Sequence, residues 1–135
     1  MIETRDQFEE WLFAIDDNLD KLRDILPIGG QLDFREESLD VLECWLLESY
    51  DSIEKLQRDF IKWELTSIYI GELFRKKLNV KWNIRLEDSN YVFYQVPEIA
   101  LPTPVCPFFL ATACIDRQKG NFLSTVFRNN LKRYG

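Results

Sequence analysis

The chain has 135 residues, 46% of them apolar and 14% aromatic, which is material for one domain with one core. Its charges are unevenly placed. Residues 1–64 carry 18 acidic against 7 basic side chains, residues 65–135 carry 10 basic against 5 acidic, and the net is −6 with no histidine. An acidic surface argues against general nucleic-acid binding, which needs a basic one, and the missing imidazole removes Ser-His-Asp and Cys-His catalysis.

Three cysteines, Cys44, Cys106 and Cys114, are an odd number and form no CxxC pair, so they are expected as free thiols, buried or half-buried. Met1–Asp6 lacks the basic and apolar regions of a signal peptide, and no apolar run nears the length of a membrane span. The expectation is a cytoplasmic protein that makes no membrane contact.

In chain order, Thr4-Arg5-Asp6-Gln7 reads as a capping box. Phe8, Trp11, Leu12, Ile15, Leu19 and Leu22 follow at helical spacing, which predicts an amphipathic helix over about 5–24 with Glu9, Glu10, Asp16, Asp17 and Asp20 on its wet side. Pro27 and Gly29-Gly30 end it. Leu32-Asp33-Phe34 reads as a short strand or an extended entry to the next helix. That helix covers about 36–50, with Leu39, Leu42, Leu46 and Tyr50 inside and Glu37, Asp40, Glu43 and Glu48 outside.

Asp51-Ser52 breaks and recaps the chain, and a long helix is predicted over about 52–79. It is apolar around most of its girth, so it should be central and carry the core through Phe60, Trp63, Ile70 and Phe74. Gly71 lies inside it, at a cost of about 1 kcal/mol relative to alanine, which suits a close approach by another element. Asn79 reads as its C-terminal cap.

The period then drops to two. Lys81 to Leu86 alternates, Glu87-Asp88-Ser89-Asn90 is turn-like, and Tyr91 to Val96 is aromatic and β-branched, which together predict an antiparallel hairpin. Ile99 to Leu101 offers a third short strand. Phe108 to Ile115 is ambiguous between strand and buried helix, and Phe122 to Tyr134 reads as a terminal helix.

Chemistry-bearing patterns are few. No GxSxG, GxxxxGK[ST] or GxGxxG is present. Asp16, Asp17 and Asp20 put carboxylates on one helical turn but follow no EF-hand spacing, and no metal or cofactor is expected. Glu72, in an apolar helix, is the best acid-base candidate, and a pairing with Arg75 or Arg85 is its structural alternative. The basic and aromatic stretch from Arg75 to Tyr94 has the composition of a nucleic-acid surface, but its alternation turns Trp82, Ile84 and Leu86 inward.

The runs Ser38–Leu46 and Tyr69–Phe74, with Lys81-Trp82, Pro97, Asp116-Arg117 and Gly120–Leu123, resemble a pattern in small, largely uncharacterised bacterial α+β proteins over roughly residues 33–131. That resemblance implies a fold and supplies no catalytic residue. In size and charge the chain is also similar to immunity proteins of bacterial toxin systems.

The combined expectation is a single α+β domain over residues 1–135. N-terminal helices and a long central helix pack on a small antiparallel hairpin sheet, with a C-terminal helix. Its expected role is non-enzymatic binding of a basic protein, most concretely a toxin, with Glu9, Asp16, Asp17, Asp20, Asp40 and Glu43 guiding the encounter. The alternative is a small enzyme or ligand-binding domain with a pocket near Glu72, Trp82 and Tyr94. A homo-oligomeric scaffold is the third possibility.

Overall fold

A computed structural model describes residues 1–135 throughout. Helix α5, Phe60–Leu78, is its axis: every residue from Leu65 to Phe74 is buried. Around it pack α2 (Ile15–Ile25), α4 (Ile53–Arg58), α6 (Pro107–Arg117) and α7 (Phe122–Tyr134), while α3 (Glu37–Ser49) lies against α6 and α7. Helix α1, Arg5–Phe13, precedes α2 at one end. A two-stranded antiparallel sheet, β1 (Trp82–Asn83) and β2 (Glu98–Ile99), completes an α+β fold.

Local chemistry sets most boundaries. The capping box at Thr4 forms, with the Gln7 amide donating to Thr4 Oγ1 at 3.1 Å and the Thr4 amide donating to Gln7 Oε1 at 3.2 Å. Asn79 takes a left-handed φ of 54° and closes α5. Pro107 in the first turn of α6, where its missing N–H costs nothing, resolves the ambiguous apolar run as helix.

Four expectations are corrected or narrowed. The single helix over 5–24 is two, broken at Ala14, whose amide is shared between the carbonyls of Glu10 and Trp11. The bend leaves Trp11 beside α5, where its indole reaches Glu64 at 3.2 Å, and lets α2 lie along α5. The helix over 52–79 is also two. Asp59 leaves helical geometry with its carboxylate held by the Tyr50 hydroxyl at 2.7 Å, which frees α4 to contact α6. Phe60, at that break, is 43% exposed and is not core.

The third narrows an open choice, since Leu32–Phe34 forms no strand and leads into α3. Phe34 has φ 65°, its amide bonds the Tyr69 hydroxyl at 2.8 Å, and its ring stacks on Tyr69 at 4.9 Å. The fourth is strand pairing. Trp82 pairs with Ile99 rather than with the aromatic run, so the partner strand is the one expected to be third. Tyr91 to Val96 curls into turns closed by Tyr94 N–H to Tyr91 O and Val96 N–H to Phe93 O. The aromatics there are engaged sideways: Tyr91 with Glu98 at 2.7 Å, and Phe93 with Phe109 at 5.6 Å. They satisfy a strand composition without needing a ladder.

Candidate functional site

The best-formed site begins at Gly71. Its missing side chain lets the Trp82 indole lie directly on α5, because a Cβ there would collide with the indole ring. Seated this way, Trp82 donates from Nε1 to Glu72 Oε2 at 2.9 Å. Arg75, one turn further along α5, donates from Nε to Glu72 Oε2 at 2.6 Å and from Nη2 to Glu72 Oε1 at 3.0 Å. Trp11 meets Trp82 edge-on at 4.9 Å and closes the far side.

Glu72 is 3% exposed. Burial pushes its carboxyl up, but the bonds from Arg75 and Trp82 outweigh that and hold it below the ordinary carboxylate value. It is therefore ionised at neutral pH, with both oxygens occupied. That arrangement suits a buttress that fixes Arg75 and Trp82, and it does not suit a general acid, which needs a raised value.

Above this buttress opens a cavity of about 360 Å³. The α1–α2 elbow contributes Leu12, Ile15 and Asp16, and the other wall is Glu72 and Arg75 with Lys81 and Trp82 at the entry to β1. Asp16 is near enough to Arg75 that its charge adds to that of Glu72 in raising the guanidinium. The expected pocket thus holds Glu72 and Trp82, but Tyr94 is left out of it. The turns over residues 91–96 keep Tyr94 away, half-buried in the loop. The Glu72–Arg75 pair is legible from the i, i+3 spacing. Lys81 and the elbow residues are not, because only the unforeseen bend at Ala14 brings α1 and α2 to the mouth.

The residues expected to guide a basic partner separate into two groups. Glu9, Asp16, Asp17 and Asp20 are exposed on α1 and α2, and Asp20 alone of these pairs with a cation, Arg23 at 3.8 Å. Asp40 and Glu43 serve the fold. The Ser124 hydroxyl donates to Asp40 at 2.6 Å. Glu43 is completely buried and accepts the amides of Phe122 at 3.1 Å and Leu123 at 2.8 Å, capping α7 from another helix. Glu36 extends the same line, holding Arg128 at 3.1 Å. Glu36, just before α3, continues the stripe of Asp40 and Glu43 on that helix, and α7 docks on it. Glu43 is inaccessible to a partner, while Asp40 stays exposed with one oxygen held by Ser124.

Elsewhere the chain offers less. No group of three or more potential metal ligands converges, and no helix is long and apolar enough to cross a membrane. Cys106 and Cys114 are buried, while Cys44 is exposed, against the expectation of three covered thiols. In comparisons with protein-family models, curated proteins and solved structures, nothing matches the chain.

Proposed function

We propose that the protein is a non-enzymatic binding protein whose α1–α2 face receives a basic protein, a toxin in the most concrete form, as an immunity protein does. The observation that carries this reading is Phe13. It is 93% exposed at the break between the two acidic helices. Glu9 and Glu10 precede it by four and three residues, and Asp16 and Asp17 follow it by three and four, all exposed. An aromatic anchor ringed by charge has the anatomy of a binding hot spot: the ring supplies affinity when it enters a partner's pocket, and the carboxylates steer encounter.

The test is capture from native lysate with the full chain and with Phe13→Ala, at low and at raised salt. A basic protein should be retained by the wild type and lost from the variant by about tenfold or more. Its association rate should fall with salt, because screening shortens the reach of the carboxylates. Equal retention by both proteins removes Phe13 and its face as the docking surface.

A second reading, a small ligand-binding domain, is favoured by one observation. The cavity bounded by Glu72 and Trp82 is open, and it carries charged groups that nothing in the fold uses.

A further inference from the structure

Cavities that hold small molecules run from about 300 to 1,000 Å³ and combine an apolar lining with a few convergent polar groups. The cavity at the α1–α2 elbow, at about 360 Å³, sits at the small end of that range. That is ample room for a molecule of amino-acid size. Its apolar contribution comes from Leu12, Ile15 and Trp82.

Its charges are the informative part. Glu72 spends most of its acceptor capacity inside the fold, taking two hydrogen bonds on Oε2 and one on Oε1. Arg75 spends Nε and Nη2 on Glu72, which leaves Nη1 without a protein partner. Lys81 is exposed and belongs to no ion pair. Asp16 on α2 is likewise exposed and unpaired. One cavity therefore presents a free carboxylate on one wall and a free ammonium beside a guanidinium edge on the other. Asp16 makes no direct ion pair with either cation, although its charge reaches Arg75.

We infer that the cavity binds a free α-amino acid with an aliphatic side chain. The ligand carboxylate meets Lys81 and Arg75 Nη1, the ligand ammonium meets Asp16, and the side chain covers Leu12, Ile15 and Trp82. A zwitterion satisfies both walls. A simple anion satisfies one and faces Asp16 with like charge, and a simple cation does the reverse at Lys81. The inference rests on the second reading above and is independent of the docking role of Phe13.

The experiment is a ¹H–¹⁵N NMR titration of the full chain, read at the Trp82 indole N–H, with L-leucine, N-acetyl-L-leucine and L-leucinamide as probes. L-Leucine should give a saturable shift. The acetylated and amidated forms, each lacking one charge, should bind at least about tenfold more weakly, the equivalent of about 1.4 kcal/mol. Lys81→Met and Asp16→Asn, both at exposed positions, should weaken L-leucine to a similar degree while the rest of the spectrum shows an intact fold. Absence of a saturable response up to about 10 mM, a dissociation constant that corresponds to under 3 kcal/mol, overturns the inference. So does N-acetyl-L-leucine binding as tightly as L-leucine, which marks an anion site instead. Phe13→Ala should leave L-leucine binding unchanged, so loss of partner capture and loss of amino-acid binding are separate outcomes.

Discussion

A Cβ on Gly71 would overlap the Trp82 indole and press on Pro107 of α6 as well. Glycine at this point of α5 gives up about 1 kcal/mol of helix propensity. In return it admits the ring that carries Glu72, meets Trp11 and roofs the cavity. Gly71→Ala should therefore destabilise, although alanine is the better helix former. Overpacking costs about 1–3 kcal/mol, and the Cβ meets the ring at a severe overlap, so against about 1 kcal/mol of propensity gained the net loss should reach up to about 2 kcal/mol in urea unfolding. Tryptophan emission should shift to the red as Trp82 is displaced. Shrinking the ring in the double variant Gly71→Ala with Trp82→Leu should recover part of the loss. A variant more stable than wild type would mean that the indole does not need this approach. The sequence marks Gly71 as a place of close contact, because a glycine in an apolar helix has few other uses. It does not say what arrives, because the visitor lies eleven residues on, beyond the helix end.

At the scale of elements, Glu36, Asp40 and Glu43, at the start and along one stripe of α3, are the clearest case of charge used within the fold. Helix α7 begins with backbone amides that have no intrahelical acceptor, and Asn121 supplies no side-chain cap. Glu43 fills that place from another helix. Glu43→Ala should leave the Phe122 and Leu123 amides buried and unmet, at about 2–3 kcal/mol. Glu43→Gln, which retains one acceptor oxygen and loses the charge at the helix N-terminus, should cost about 1 kcal/mol. Hydrogen exchange should show the loss concentrated in α7, with α5 protected nearly as before. A loss spread evenly over both helices would argue against the docking role.

This stripe also explains what could be read in advance. Helical periodicity marks the helical stretches except α6, whose continuous apolar run shows no period, because a 3.6-residue apolar pattern is visible without knowing what it packs on. It did not show the breaks at Ala14 and Asp59, since the apolar stripe runs through both without interruption and tertiary contacts decide the bends. Alternation at Lys81–Leu86 predicts a strand but not its partner, because aromatic residues half-buried in a turn have the same composition as a strand. The carboxylates of α3 read as a wet face in sequence because composition does not separate a solvated glutamate from one that caps a distant helix. Spacing alone held the clue: positions 36, 40 and 43 share a face with the apolar residues Leu39, Leu42 and Leu46 close beside them.

For the whole molecule, the charge split is partly consumed by the fold. Glu36, Asp40 and Glu43 meet α7 and Glu72 meets Arg75, while α1 and α2 keep exposed carboxylates at Glu9, Glu10, Asp16 and Asp17. The same accounting sets the pH response. With no histidine, no imidazole titrates near neutrality. On the acid side, the carboxyl of Glu72 is depressed in the folded state, so its contribution is complete above its unfolded value and is lost as pH falls through the lower folded one. On the alkaline side the sign reverses. Burial first, and then the bond to Glu98, pushes the Tyr91 hydroxyl up to about 12, and burial takes the Cys106 and Cys114 thiols up to about 12. Each of these groups stabilises fully below its ordinary value, and the contribution is lost as pH rises through about 12. The urea midpoint at constant ionic strength should therefore be level from about pH 5 to about pH 8 and fall on both sides. The acid fall should be smaller in Glu72→Gln, which has already lost the titrating group. A step within the level region would require a titrating group that neither the composition nor these environments supply. An acid limb unchanged in Glu72→Gln would mean that the Arg75–Glu72–Trp82 cluster is not what the protons break.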